Sequence, residues 1–167
     1  MLEMWGSLGS RVGSMVTMHI AVAADHGGYP LKTEVIAHLV TQGYDVEDLG
    51  CDSATESVDY PDYASALGHE VVSGSVDLGI AICGSGIGIS IAANKIAGIR
   101  AALVHDVTTA RLACEHNHAN VLCLGARTTD SAVALACVDA FLHARPEARH
   151  QQRIDKITAL EQGASRE

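Results

Sequence analysis

Aromatic side chains are scarce in this chain. They make up 4% of 167 residues, with a single Trp and a single Phe. A core must therefore be packed from Ala, Val, Ile and Leu. Basic residues are also few, 11 Lys and Arg against 20 Asp and Glu, for a net charge of −9 at pH 7. That balance argues against nucleic acid or an anionic membrane as a partner, while leaving room for one local basic pocket. Paired cysteines are missing: there are five in all, an odd number, and no two stand in a C-x-x-C spacing. The spacing speaks against structural zinc. With no disulfide pattern and no secretory leader, it predicts reduced thiols in a cytoplasm. No apolar run is long enough to span a bilayer.

What the chain does have is aliphatic residue in quantity, 48% hydrophobic overall, enough for one domain with a full-sized core. Residues 1–17 differ from the rest. They are rich in Gly, Ser and Met without a sustained apolar region, and read as a disordered leader, vector-derived or from an upstream start codon. The domain is expected over 18–162, with 163–167 a short tail. Within it, short apolar runs alternate with longer amphipathic ones. Strands are predicted at 19–24, 44–49, 76–83, 99–105 and 120–124. Helices are predicted at 30–42, 59–73, 87–96, 108–116 and 130–144, the last with Val133, Ala136, Cys137 and Leu142 inward. Pro146 breaks that helix, and Ile154, Ile157 and Leu160 mark a final amphipathic one. Strand then helix, repeated, predicts an α/β fold. It is a single-domain, Rossmann-like three-layer sandwich with a five-stranded parallel sheet and an extra C-terminal helix. Ligands of such sheets bind outside the carboxyl ends of the strands, here the loops at 25–29, 83–88, 105–107 and 125–128.

One of those loops dominates. In Ile80-Ala-Ile-Cys-Gly-Ser-Gly-Ile-Gly-Ile-Ser-Ile-Ala-Ala-Asn-Lys95 an apolar strand ends in Cys83, and a glycine-rich turn leads into a helix. Backbone N–H groups at that helix mouth favour negative charge, and the same field favours a thiolate. A tight turn alone could account for Gly84, Gly86 and Gly88. The dinucleotide fingerprint fails, because its third glycine position holds Ile89, and a P-loop fails for want of Gly-Lys-Ser/Thr. An anion cradle remains. Cys123 and Cys137 read as small buried hydrophobes. Cys83 differs by standing at a strand end beside the cradle.

Three other clusters carry ionisable groups. Asp25-His26-Gly27-Gly28 ends the first strand, so it belongs beside the Cys83 loop, although an Asp there could simply cap the next helix. His116-Asn117-His118 ends a helix, where histidine often only complements the dipole. Arg149, His150 and Arg153 form a basic patch in an acidic protein. A solvated helix start would look the same, but arginines at i and i+4 share a helical face and can clamp a phosphate. A base, an anion hole, an acid/base histidine and a phosphate clamp together describe a sugar-phosphate isomerase working through an enediolate. No residue demands a metal or an organic cofactor.

The chain resembles the ribose-5-phosphate isomerase B family, which also contains galactose-6-phosphate and allose-6-phosphate isomerases. The likeness runs from Met18 to about Gln162. It rests on Ala24-Asp-His-Gly-Gly, Asp59-Tyr-Pro-Asp-Tyr-Ala, Ile82-Cys-Gly-Ser-Gly-Ile-Gly-Ile-Ser-Ile-Ala-Ala-Asn-Lys, Glu115-His-Asn, Leu124-Gly-Ala-Arg and Arg149-His-Gln-Gln-Arg, in that order. The resemblance implies that Cys83 is the general base moving a proton between C1 and C2. It implies that the amides of Gly84, Ser85, Gly86, Ile87 and Gly88 cradle the enediolate, and that Ser85, where many members have Thr, relays a proton between O1 and O2. His116 matches the group that opens the furanose ring. Asp25, His26, Asn117, Arg127, Arg149 and Arg153 match substrate-binding positions, the arginines and His26 nearest the phosphate. A subgroup uses a glutamate further along the loop; Ile89 stands there, so this chain is of the cysteine type. The family is dimeric or tetrameric, with each site built across two subunits.

The substrate implied is ribose 5-phosphate interconverting with ribulose 5-phosphate. A hexose 6-phosphate, allose or galactose, would use the same loop. A non-catalytic phosphosugar-binding module is the rival from another class, but binding alone needs neither Cys83 nor His116. Self-association is also expected from the last helix, because its apolar stripe has no place on a sheet covered on both faces.

Overall fold

Residues 17–163 are described by a computed structural model. Most of the expected leader, 1–16, and of the tail, 164–167, lies outside the described residues. The five strands are β1 His19–Ala24, β2 Asp45–Asp48, β3 Leu78–Cys83, β4 Ala101–Leu103 and β5 Val121–Gly125. Between them run α1 Tyr29–Thr41, α2 Tyr60–Ser73, α3 Ile87–Ala93 and α4 Val107–Asn117. After β5 come α5 Ser131–His143, a 3-10 turn at Ala148–His150 and α6 Gln151–Glu161. All pairings are parallel and the order across the sheet is β2-β1-β3-β5-β4.

Local chemistry sets the helix ends. Asp106 caps α4 by accepting from the Thr109 amide at 2.8 Å, and Asp130 caps α5 through the Ala132 amide at 3.0 Å. Pro61 sits in the first turn of α2, where its missing N–H costs nothing, and Gly74 closes that helix at φ 78°.

Alternation along the strands divides the core into two layers. Ile20, Val22, Ile80, Ile82, Leu122 and Leu124 pack against α1, α4 and α5. The other face carries smaller residues, Ala21, Ala23, Ala81, Cys83 and Cys123, and meets α2 and α3. Those helices sit close: a Cβ on Gly79 would lie 2.5 Å from Leu67. Cys83 therefore belongs to the face made of small side chains.

Three expectations are corrected. The helix expected to reach residue 96 stops at Ala93, because the Asn94 side chain bonds the backbone of β4. Its Nδ2 donates to the Ala101 carbonyl at 2.8 Å and its Oδ1 accepts from the Ala101 amide at 2.9 Å. The strand expected at 99–105 shortens to three residues. The inward stripe of α5 is Ala134, Cys137, Val138, Phe141 and Leu142, while Val133 is exposed.

Candidate active site

Two clusters stand at opposite ends of the sheet. The first forms where β1, β3 and β5 end. Cys83 is buried, and its Sγ accepts a hydrogen bond from the Gly86 amide at 3.1 Å. The Ile87 amide donates to Ser85 Oγ at 3.3 Å. Amides one residue apart thus address the thiol and the hydroxyl on either side of the turn. The glycines are fixed by contact. Gly86 has φ 76°, and a Cβ there would lie 2.4 Å from the Leu103 side chain and 2.9 Å from the Leu124 backbone. A Cβ on Gly88 would enter the Tyr60 ring at 2.5 Å.

Neighbouring strand ends complete this cluster. The Asp25 amide donates to the Ile82 carbonyl at 3.3 Å, and Asp25 Oδ1 accepts from the Gly28 amide at 2.9 Å. His26 places Nδ1 3.2 Å from the Val58 backbone, which holds its ring at the mouth of a groove. The Arg127 amide donates to the Gly84 carbonyl at 2.8 Å. The Arg127 guanidinium lies over both glycine turns, 3.2 Å from a Cβ position on Gly27 and 3.3 Å from one on Gly84. A groove of about 340 Å³, lined by His26, Gly27, Pro30, Ala54, Arg127 and Thr129, opens outside it.

Three other cysteines are held as thiols. Burial pushes the Cys114 thiol up to about 11 and raises Cys123 and Cys137 as well. Such thiols stay protonated and inert at neutral pH.

The second cluster is at the amino ends of the strands. His116 and Asn117 end α4, and His118 turns the chain in the left-handed region at φ 48°. Arg100 holds that turn, its Nε donating to the carbonyls of Asn117 at 3.2 Å and His118 at 2.9 Å. Here the rings of His116 and His150 stack with centroids 4.4 Å apart. Arg149 reaches His116 Nε2 at 3.3 Å, and Arg153 reaches His150 Nδ1 at 3.0 Å. Glu147 Oε2 accepts from Arg149 Nε at 2.6 Å. Arg149 lies in the 3-10 turn and Arg153 in α6, so the single helical face expected for the pair is not formed. Instead the two guanidiniums bracket a stacked imidazole pair.

One copy of the chain does not bring the two clusters together. The Gly79 amide donates to the Asn120 carbonyl, so the turn after α4 sits beside the start of β3. Cys83 is four residues further along that strand, about 13 Å at ~3.3 Å per residue.

A profile of the Ribose/Galactose Isomerase family matches residues 20–157. The chain belongs to this family. Ribose-5-phosphate isomerase B of Escherichia coli K12 is 51% identical over 144 residues, covering 86% of this chain and 96% of that protein. A solved ribose-5-phosphate isomerase B from Clostridium thermocellum superposes with a TM-score of 0.86 at 47% identity, covering 89% of this chain and all of that one. The Mycoplasma genitalium enzyme, solved with bound ribulose-5-phosphate, gives 0.83 at 45% identity, covering 87% of this chain and 97% of that one.

In the second cluster one acid stands among the bases. Glu147 was not singled out by the sequence reading. Its only signal is position, one acid between Pro146 and the basic patch. Together with His116 and His150 it forms the sole trio with metal-ligand spacing among the described residues. The trio does not suit a cation. Arginine has no acceptor, so Arg149 and Arg153 donate to the imidazole lone pairs that a metal would need. The surroundings favour an anion. Burial lowers the His150 pKa, as do the charges of Arg149, His116 and Arg153.

Proposed function

We propose that this isomerase interconverts ribose 5-phosphate and ribulose 5-phosphate through an enediolate, with Cys83 as the general base. The observation that carries the reading is the Cys83 turn, a thiol held by a backbone amide in a loop where a Cβ at Gly86 or Gly88 would clash. The ribulose-5-phosphate bound to the Mycoplasma genitalium relative supports the pentose.

The chemistry follows the groups. Cys83 as thiolate takes the C2 proton of the open-chain aldose, and the electron pair moves into a C1–C2 enediolate. Amides of the turn from Gly84 to Gly88 stabilise the developing oxyanion. Ser85 passes the hydroxyl proton between O2 and O1, and the Cys83 thiol returns its proton to C1. His116 opens the furanose ring by moving a proton from the anomeric hydroxyl to the ring oxygen. Asp25 and Asn117 hold sugar hydroxyls, while His26, Arg127, Arg149 and Arg153 hold the phosphate.

Those roles need both clusters at one substrate. The site is therefore shared: one copy supplies Cys83, Ser85, Asp25, His26 and Arg127, and its partner supplies His116, Asn117, Arg149 and Arg153. A homodimer, or a tetramer built from it, meets that need. The exposed Ile157 and Leu160 of α6, with Ile87 and Ile91 of α3, offer apolar surface for it. No described helix is long and apolar enough to cross a membrane. The five free thiols and a phosphorylated substrate support a cytoplasmic location.

Turnover of the purified chain on ribose 5-phosphate, beside allose 6-phosphate and galactose 6-phosphate, tests the reading. A higher kcat/KM for the pentose is expected. A hexose preference would redirect the substrate, and no turnover of any of them would leave a binding module.

A further inference from the structure

Glu147 has no part in the reaction as proposed, yet it occupies the centre of the second cluster. Its amide donates to the Glu115 carbonyl at 2.9 Å, tying it to the end of α4. Its Oε2 is approached by three groups: Arg149 Nε at 2.6 Å, His150 Nε2 at 3.5 Å and His116 Nε2 at 3.9 Å. His150 is buried, at 8% exposure, and its Nε2 has no hydrogen-bond partner. Arg153 donates to Nδ1 of the same ring, so in the neutral imidazole the hydrogen is on Nε2. A guanidinium and an imidazole N–H thus converge on one carboxylate oxygen. That convergence is an anion receptor, and in this structure the anion is the protein's own.

We propose that Glu147 is an internal anion that occupies the phosphate clamp and competes with the substrate's phosphate for Arg149. This rests on the placing of Arg149 in the clamp above. The carboxylate does two things. It holds a long side chain, 66% exposed, in one orientation before substrate arrives. It also opposes binding, since the phosphate must displace it from Arg149. A phosphate brings close to two charges and three acceptor oxygens against one charge on Glu147, so it wins the exchange.

The sign of the effect separates this role from a structural one. Removing a carboxylate that merely braces the clamp weakens phosphate binding. Removing a competitor strengthens it. Glu147→Gln keeps the shape and loses the charge. Calorimetric titration of the full chain with inorganic phosphate at low ionic strength should show about two- to fivefold tighter binding, the range expected for an exposed ion pair. The KM for ribose 5-phosphate should fall by a similar factor. In an Arg149→Ala background the same substitution should change nothing. Glu147→Asp keeps the charge and should show no such gain. Unchanged or weaker phosphate binding in Glu147→Gln would overturn the proposal, as would an equal gain without Arg149 or in Glu147→Asp. The titration does not depend on turnover, so a protein that prefers another phosphorylated sugar still answers it.

Discussion

A mixed-dimer experiment tests the shared site most directly. Cys83 and His116 belong to opposite ends of one sheet, separated by at least the four residue steps of β3 from Gly79 to Cys83, about 13 Å along the strand. Cys83→Ala and His116→Ala should each lower kcat by about 10²–10⁴-fold as losses of acid/base groups. In a dimer carrying one of each, both lesions fall in the same site. The other site takes an intact Cys83 from one chain and an intact His116 from the other. Isolated with two affinity tags, such dimers should recover about half the wild-type turnover per dimer, the share of intact sites under two-fold symmetry. Pairing Cys83→Ala with Arg127→Ala is the control. Both residues lie at the same end of one chain, so neither site becomes whole and no recovery is expected. Coupled turnover of ribose 5-phosphate reads both mixtures. Cys83/His116 dimers no more active than their parents, or recovery in the Arg127 control, would refute the division of the site.

Other outcomes can be measured on single variants. Cys83→Ala should leave the fold intact by circular dichroism, and iodoacetamide should inactivate the wild type with substrate giving protection; near wild-type kcat in the variant would remove the thiol from the mechanism. Gly86→Ala adds a left-handed penalty of about 1–2 kcal/mol to an overpacking cost of about 1–3 kcal/mol. Its contacts are with the Leu103 side chain and the Leu124 backbone, and a urea midpoint equal to wild type would show that the turn can relax. Arg149→Ala and Arg153→Ala should each lower kcat/KM about tenfold or more, roughly 1.4 kcal/mol, with phosphate a weaker competitor. Wild-type values in both would move the clamp to Arg127.

The order of strands and helices was legible because each buried strand is a short aliphatic run and three of the helices carry clear punctuation, Pro61 and Gly74 around α2, Asp106 before α4 and Asp130 before α5. What was hidden depended on side chains far apart in sequence. Asn94 ends α3 by bonding to Ala101, a contact that helix periodicity does not encode. Val133 reads as inward from its hydrophobicity, but Ala134 is the residue in line with the buried stripe of Cys137, Val138, Phe141 and Leu142. The Cys83 turn could be read directly, since its thiol, hydroxyl and glycines are contiguous. Glu147 could not. Its meaning comes from His116, thirty-one positions earlier in the chain, and only folding places them together.

The separation of the two clusters follows from the topology itself. In a parallel sheet every strand ends at the same edge, so Asp25, Cys83 and Arg127 gather there without any special design. Each connecting helix runs the other way, so a residue at the end of α4 must finish at the opposite edge. A histidine that ends a helix and a cysteine that ends a strand therefore cannot meet within one such domain. If the chemistry needs both, a second copy must present its helix end to the first copy's strand ends, and two-fold symmetry then makes two equal sites. On this view self-association is a condition of catalysis, and dilution should abolish turnover in parallel with dissociation. Activity that persists in a monomer shown by sedimentation would mean that His116 takes no part.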